Sequence, residues 1–179
     1  MPKDHAVRES VVAKAKRLAA ERRQEEARLK RLRAPDIGAV ANEVIAALIS
    51  SLRSKSEEVG TAAELQSSVE GQNPLWVVHL GTISTTVRWD NPYHNSLTDA
   101  KLSVMAWGFH YVLPHGGRMM RADPANETRY ELDLLDEQWV WREDGDGEPL
   151  PSEELAETIF HDLVDRAFSP PPQNQHFSF

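Results

Sequence analysis

Seven histidines and no cysteine set the chemistry open to this chain. Imidazole ionises near neutrality, so it is the side chain here best suited to act as a general base or a metal ligand. His79 and His110 fall in stretches rich in β-branched and aromatic residues, "LWVVHLGTISTTVRW" and "KLSVMAWGFHYV". If those stretches are strands, the two rings would meet across a sheet, with Asp99, Asp123 or Glu127 available to orient one of them for hydrolysis. No serine stands in a Gly-x-Ser-x-Gly elbow, and no His-Glu-x-x-His occurs. Strand histidines with ordinary hydrogen bonds are therefore the favoured reading.

Other clusters resolve into plainer features. Glu157, His161 and Asp165 stack at i, i+4, i+8 and would offer metal ligands from one helix, but without a fourth group elsewhere they read as a solvated polar face. "DGDGE" resembles the start of a calcium loop. Counted from Asp144, however, Pro149 stands where glycine is required and Leu155 where the bidentate glutamate is required, so a turn remains. "PHGGRMMR" would cradle an anion between Arg118 and Arg121, yet two glycines suit any hairpin loop. The sequon Asn126-Glu127-Thr128 reads as a chance match. No pattern calls for a cofactor or a metal. Lacking cysteine, the chain has no disulfide framework and no thiol nucleophile.

The more informative signal is charge. Residues 1–33 carry 11 Lys or Arg against 5 Asp or Glu, whereas the whole chain of 179 residues has a net charge of −8. Most of the acidity lies between Asp123 and Asp165. A basic arm on an acidic body points to contacts made by charge. Residues 6–33 contain no Gly or Pro, are rich in helix formers, and are followed by Pro35, which predicts one helix. Val11, Leu18 and Leu32 lie seven and fourteen apart, but Glu25 takes the missing heptad position, so the stripe is too broken for a self-sufficient coiled coil. Backbone preference supports this helix while burial does not, and it should reach outward. Val11, Leu18, Leu29 and Leu32 would fill a partner's groove, ringed by Arg22, Arg23, Arg31 and Arg33. The same cations would lie along nucleic-acid phosphates, although no aromatic residue precedes Trp76 for base stacking. At the other end, Phe177 and Phe179 follow "SPPPQNQ", an extended stalk able to present two rings to a pocket.

The remaining elements form the body that carries these features. Asp36 is the expected N-cap of a second helix whose apolar set, Ile37, Val40, Ala41, Val44, Ile45, Leu48, Ile49 and Leu52, follows helical spacing. Thr61 with Glu64 offers a capping box for a short continuation to Val69. From Leu75 the pattern turns to period two, with a bend expected at Gly81-Thr82 and turn formers between further segments "RYELDLL" and "QWVWRE". Alternation places Leu102, Val104 and Ala106 on one face and Met105, Trp107, Phe109 and Tyr111 on the other. "LPSEELAETIFHDLVDRAF" reads as an amphipathic closing helix with Ser152 as N-cap.

The expected architecture is α+β: two N-terminal helices, a mainly antiparallel sheet of four to six strands, and a C-terminal amphipathic helix packed on the sheet. The domain reading is a basic helical arm at 1–34, a core at 35–169 and a Pro-rich tail at 170–179. No membrane span is expected, and the chain reads as soluble and cytoplasmic. The function expected from these features is non-catalytic: docking of a larger cytosolic partner protein, or self-association, through the basic helix. Nucleic-acid binding by the arm and a histidine-dependent hydrolase are the alternatives.

Overall fold

The computed structural model describes residues 9–93, 95–113, 122–145 and 147–169. Two helices open the chain, α1 (Val11–Arg31) and α2 (Ile37–Ala63). Seven strands follow: β1 (Ser67–Gln72), β2 (Leu75–Leu80), β3 (Ile83–Asp90), β4 (Lys101–Trp107), β5 (Asn126–Leu135), β6 (Gln138–Glu143) and β7 (Pro149–Leu150). The helix α3 (Ser152–Phe168) comes last. The strands form one antiparallel sheet in the order β1 to β7, so each pairs with its neighbours in sequence. The α+β class and the meander are as the sequence predicts.

The strand count is seven rather than four to six, and both additions lie at the sheet's edges. β1 has the polar sequence "SSVEGQ" and gains its strand conformation from the ladder it makes with β2, where Ser67 faces Leu80 and Val69 faces Val78. The short continuation helix expected at 61–69 does not form. Instead Glu64 adopts a left-handed conformation as the C-cap of α2, its N–H donating to the carbonyls of Gly60 and Thr61. Gly60 is required where helix and strand meet, since a Cβ there would lie 2.9 Å from that of Ser67. A chain of hydroxyls closes the same junction: Ser56 shares a hydrogen bond with Ser67 at 2.7 Å, and Ser67 donates to the carbonyl of His79 at 2.9 Å.

α2 lays Ile37, Ala41, Ile45, Leu48, Ile49 and Leu52 on the core, following the spacing that predicts them. By length and composition it would suffice to cross a membrane, but its apolar stripe is the part enclosed by β1, β2 and α3. α3 contributes Leu155, Ala156, Ile159, Phe160 and Leu163 to the same core. Its N-cap is Pro151 rather than Ser152, whose hydroxyl accepts a hydrogen bond from the Trp141 indole at 3.0 Å instead. Asp36 likewise makes no capping bond from its side chain, which pairs with Arg31 at 2.8 Å. The helix-facing side of the sheet carries Trp76, Val78, Leu80, Val87, Trp89, Leu102, Leu132 and Trp141.

On the opposite side, β4 ends at Trp107 instead of running on through Tyr111. The chain then folds back over the sheet, clasped by Ser84, whose hydroxyl donates to the Phe109 carbonyl at 2.6 Å and accepts from the Tyr111 N–H at 2.7 Å. Phe109 and Tyr111 still pack on Trp107, at 5.6 and 4.9 Å between ring centres. The stretch "PHGGR", expected as a loop, lies outside the described residues.

Candidate functional site

α1 is a helix of 21 residues with none buried. Its first turn is capped by Ser10, which accepts from the Ala13 N–H at 3.1 Å, and its last turn holds Arg28, Lys30 and Arg31, where cations complement the helix dipole. Val11 is 84%, Val12 65% and Leu18 48% exposed, so among the described residues these apolar side chains of the helix are left largely uncovered. Arg17 pairs with Glu9 and Glu21, and Arg22 with Glu26. The last turn is anchored. Arg28 donates to Asp133 on β5 at 2.5 Å and also holds Glu25 at 3.0 Å. Arg31 lies over the Trp139 ring at 5.7 Å. The carbonyl of Leu32 accepts from the Leu97 N–H at 3.0 Å.

This anchoring corrects part of the contact set expected from the sequence. Leu32 is 2% exposed and belongs to the protein's own core, so it is not a partner residue. Leu29 is half-buried and Arg31 is engaged by Asp36 and Trp139. Val11, Leu18, Arg22, Arg23 and Arg33 are exposed. Val12 joins them, a position that heptad counting passes over. Phe177 and Phe179 lie outside the described residues. Asp133 and Arg28 are separated by 105 positions, so no local spacing reveals their pairing.

His79 on β2 and His110, which lies beyond the end of β4 rather than in a strand as expected, do meet. His79 and His110 stack nearly parallel, 3.9 Å between ring centres and 14° between planes. His79 is 4% exposed, and its Nδ1 is buried without a hydrogen-bond partner. Among the described residues, no carboxylate bonds either ring. Glu127 accepts from Arg129, Asp99 from the Thr98 hydroxyl, and Asp123 is exposed. The Ser84 hydroxyl, which lies on the strand paired with His79, is occupied on both sides by backbone groups. Among the described residues, this pair therefore has no carboxylate to orient an imidazole and no free Ser84 hydroxyl beside it. Glu157 pairs with Lys55 of α2 at 2.7 Å, His161 and Asp165 are exposed, and no group of three metal-binding side chains occurs among the described residues.

Burial, reinforced by the adjacent His110 ring, pushes the His79 imidazole below its ordinary pKa of 6.5, against the opposing field of Glu70. A base with a depressed folded-state pKa takes up its proton later than the unfolded chain does. Stability is therefore full above about pH 6.5 and falls below it, by at most about 1.4 kcal/mol per pH unit until the folded ring protonates. The urea midpoint of the natural protein should drop more between neutrality and acid pH than that of His79→Leu, and parallel curves would contradict the assignment.

Comparison with family models, with curated proteins and with solved structures returned no match.

Proposed function

We propose that this is a non-catalytic binding or assembly protein that docks a larger cytosolic partner protein through α1. The carrying observation is a capped, internally ion-paired helix, fixed at its C-terminal turn, whose Val11, Val12 and Leu18 are left largely uncovered among the described residues. A helix held in this way pre-pays its folding entropy and offers Val11 and Leu18, at i and i+7, as anchors to a groove. Ion pairs along the helix neutralise Arg17, Arg22 and Arg28 with acids of the same segment, which breaks the continuous positive stripe that a phosphate backbone would use. The protein reading is therefore preferred to the nucleic-acid alternative.

The test compares the full chain with the double variant Val11→Asp, Leu18→Asp in capture from native extract, followed by titration of the purified partner. Deleting residues 1–33 is unsuitable because it also removes Leu32 from the core. Loss of two apolar anchors should weaken binding by about 100-fold. Equal affinity for both forms would refute the reading. Binding only to RNA or DNA, with log affinity falling linearly against log salt, would establish the nucleic-acid alternative instead. Light scattering distinguishes self-association through the acidic segment 123–165.

A further inference from the structure

Two helices lie side by side on a seven-stranded sheet, and their widths do not match. A pair of helices covers about 20 Å, whereas seven strands span about 29 Å. α2 sits over β1 and β2, and α3 crosses β3 towards β6 and β7. The helix-facing side of β4 and β5 is left partly uncovered, and a cleft of about 250 Å³ opens there beside α3.

Register explains what lines it. Thr85 faces Ala106, Ala106 faces Asn126, Val104 faces Thr128, and Tyr130 faces Glu143, so all these side chains point to one side of the sheet. From above, Thr158 and Asp162 come from successive turns of α3. The floor, Val104 and Ala106, is apolar, while the rim carries hydroxyls and carboxylates. Tyr130 is 5% exposed and its hydroxyl makes no hydrogen bond among the described residues, yet it lines this cleft. Its ring is enclosed while its hydroxyl opens to the cleft, where it can donate to or accept from a ligand.

The charge of the site is uneven: Arg166 of α3 donates to the Thr85 hydroxyl at 2.6 Å on one wall, and Glu143 stands on the other. Asp162 is paired with Arg166 at 2.7 Å, but Glu143 has no cationic partner among the described residues. Burial first, then the fields of Glu143 and Asp162, raise the Tyr130 phenol above its ordinary pKa. The volume exceeds that of a metal ion, and no group of three metal-binding side chains occurs among the described residues.

We propose that this cleft binds a small aliphatic ammonium compound, its charged nitrogen held by Glu143, Asp162 and the Tyr130 hydroxyl and its methylene chain lying on Val104 and Ala106. This site is separate from α1 and stands or falls independently of partner docking.

The test is calorimetric titration of the full chain with 1,4-diaminobutane, with 1,4-butanediol as the uncharged match. Saturable binding of the diamine should weaken about tenfold or more in Glu143→Gln and about fivefold in Tyr130→Phe, and remain unchanged in Glu154→Gln. The diol should bind far more weakly. Both substitutions preserve shape, and circular dichroism checks that the variants are folded. The proposal is overturned by absence of saturable binding up to about 10 mM diamine. It is equally overturned if Glu143→Gln binds as the natural protein does, because adsorption to an acidic surface would behave that way.

Discussion

Trp141→Ala is expected to destabilise the protein by about 4 kcal/mol, the largest effect of any single substitution considered. The indole is fully buried, meets Trp89 edge-on at 5.9 Å, and donates from Nε1 to Ser152 at the start of α3. Truncation removes its transfer energy, empties a cavity beneath α3 and leaves the hydroxyl of the first helical residue without its donor. Trp141→Phe restores most of the volume and should cost about 1–2 kcal/mol. Urea unfolding followed by far-ultraviolet circular dichroism gives both values without relying on the fluorophore being removed. A loss under about 1 kcal/mol for the alanine variant would mean that α3 does not depend on this residue.

Asp133→Ala is expected to cost about 2 kcal/mol, for a different reason. The carboxylate side chain is 9% exposed and accepts from Arg28 at 2.5 Å, from Arg142 at 3.3 Å and from the Leu134 N–H at 2.8 Å. Removing it leaves two guanidinium groups facing each other with no anion between them. Fully buried charges would cost more, but Arg28 and Arg142 are 27% and 34% exposed and water screens part of the repulsion. Arg28→Ala should cost about half as much, since Arg142 continues to compensate Asp133. The mechanical consequence is specific to α1. With its tether cut, the arm should sample a broader range of angles while the sheet stays intact. Because the chain has no cysteine, spin labels at Leu18→Cys and Glu154→Cys report that distance cleanly. A distribution as narrow in Asp133→Ala as in the parent would show that Leu32 and Trp139 alone fix the arm.

These two residues also bear on how α1 presents itself. Its outer turns are free of the body, but its inner turn is built into the sheet through Arg28, Arg31 and Leu32. The angle of the arm is therefore set by the β5–β6 hairpin, whose turn residues Asp136 and Glu137 both adopt left-handed conformations. A partner reading α1 would also meet that hairpin.

Several features of this protein follow from the amino-acid order alone. Helical spacing from Ile37 to Leu52 and from Leu155 to Leu163 specifies two buried faces, because a period near 3.6 has no other economical arrangement. Alternation from Leu75 onward specifies strands, and turn formers every few residues specify a meander. The scarcity of large apolar residues before Arg28 left its helix unable to fold down, and Val11 and Leu18 are indeed exposed. Tertiary structure decided the rest. β1 and the two-residue β7 have weak intrinsic preference and exist because a neighbouring strand offers unpaired backbone groups. Leu32 reads as one more arm residue, and only the turn at Arg33–Pro35 and the 91–100 connection carry it into the core. The pairing of Arg28 with Asp133, the stacked histidines and the cleft beside α3 join residues distant in sequence. Local preference acts over a few positions, whereas such sites depend on where a twisted sheet and two helices leave space, which only the packed chain determines.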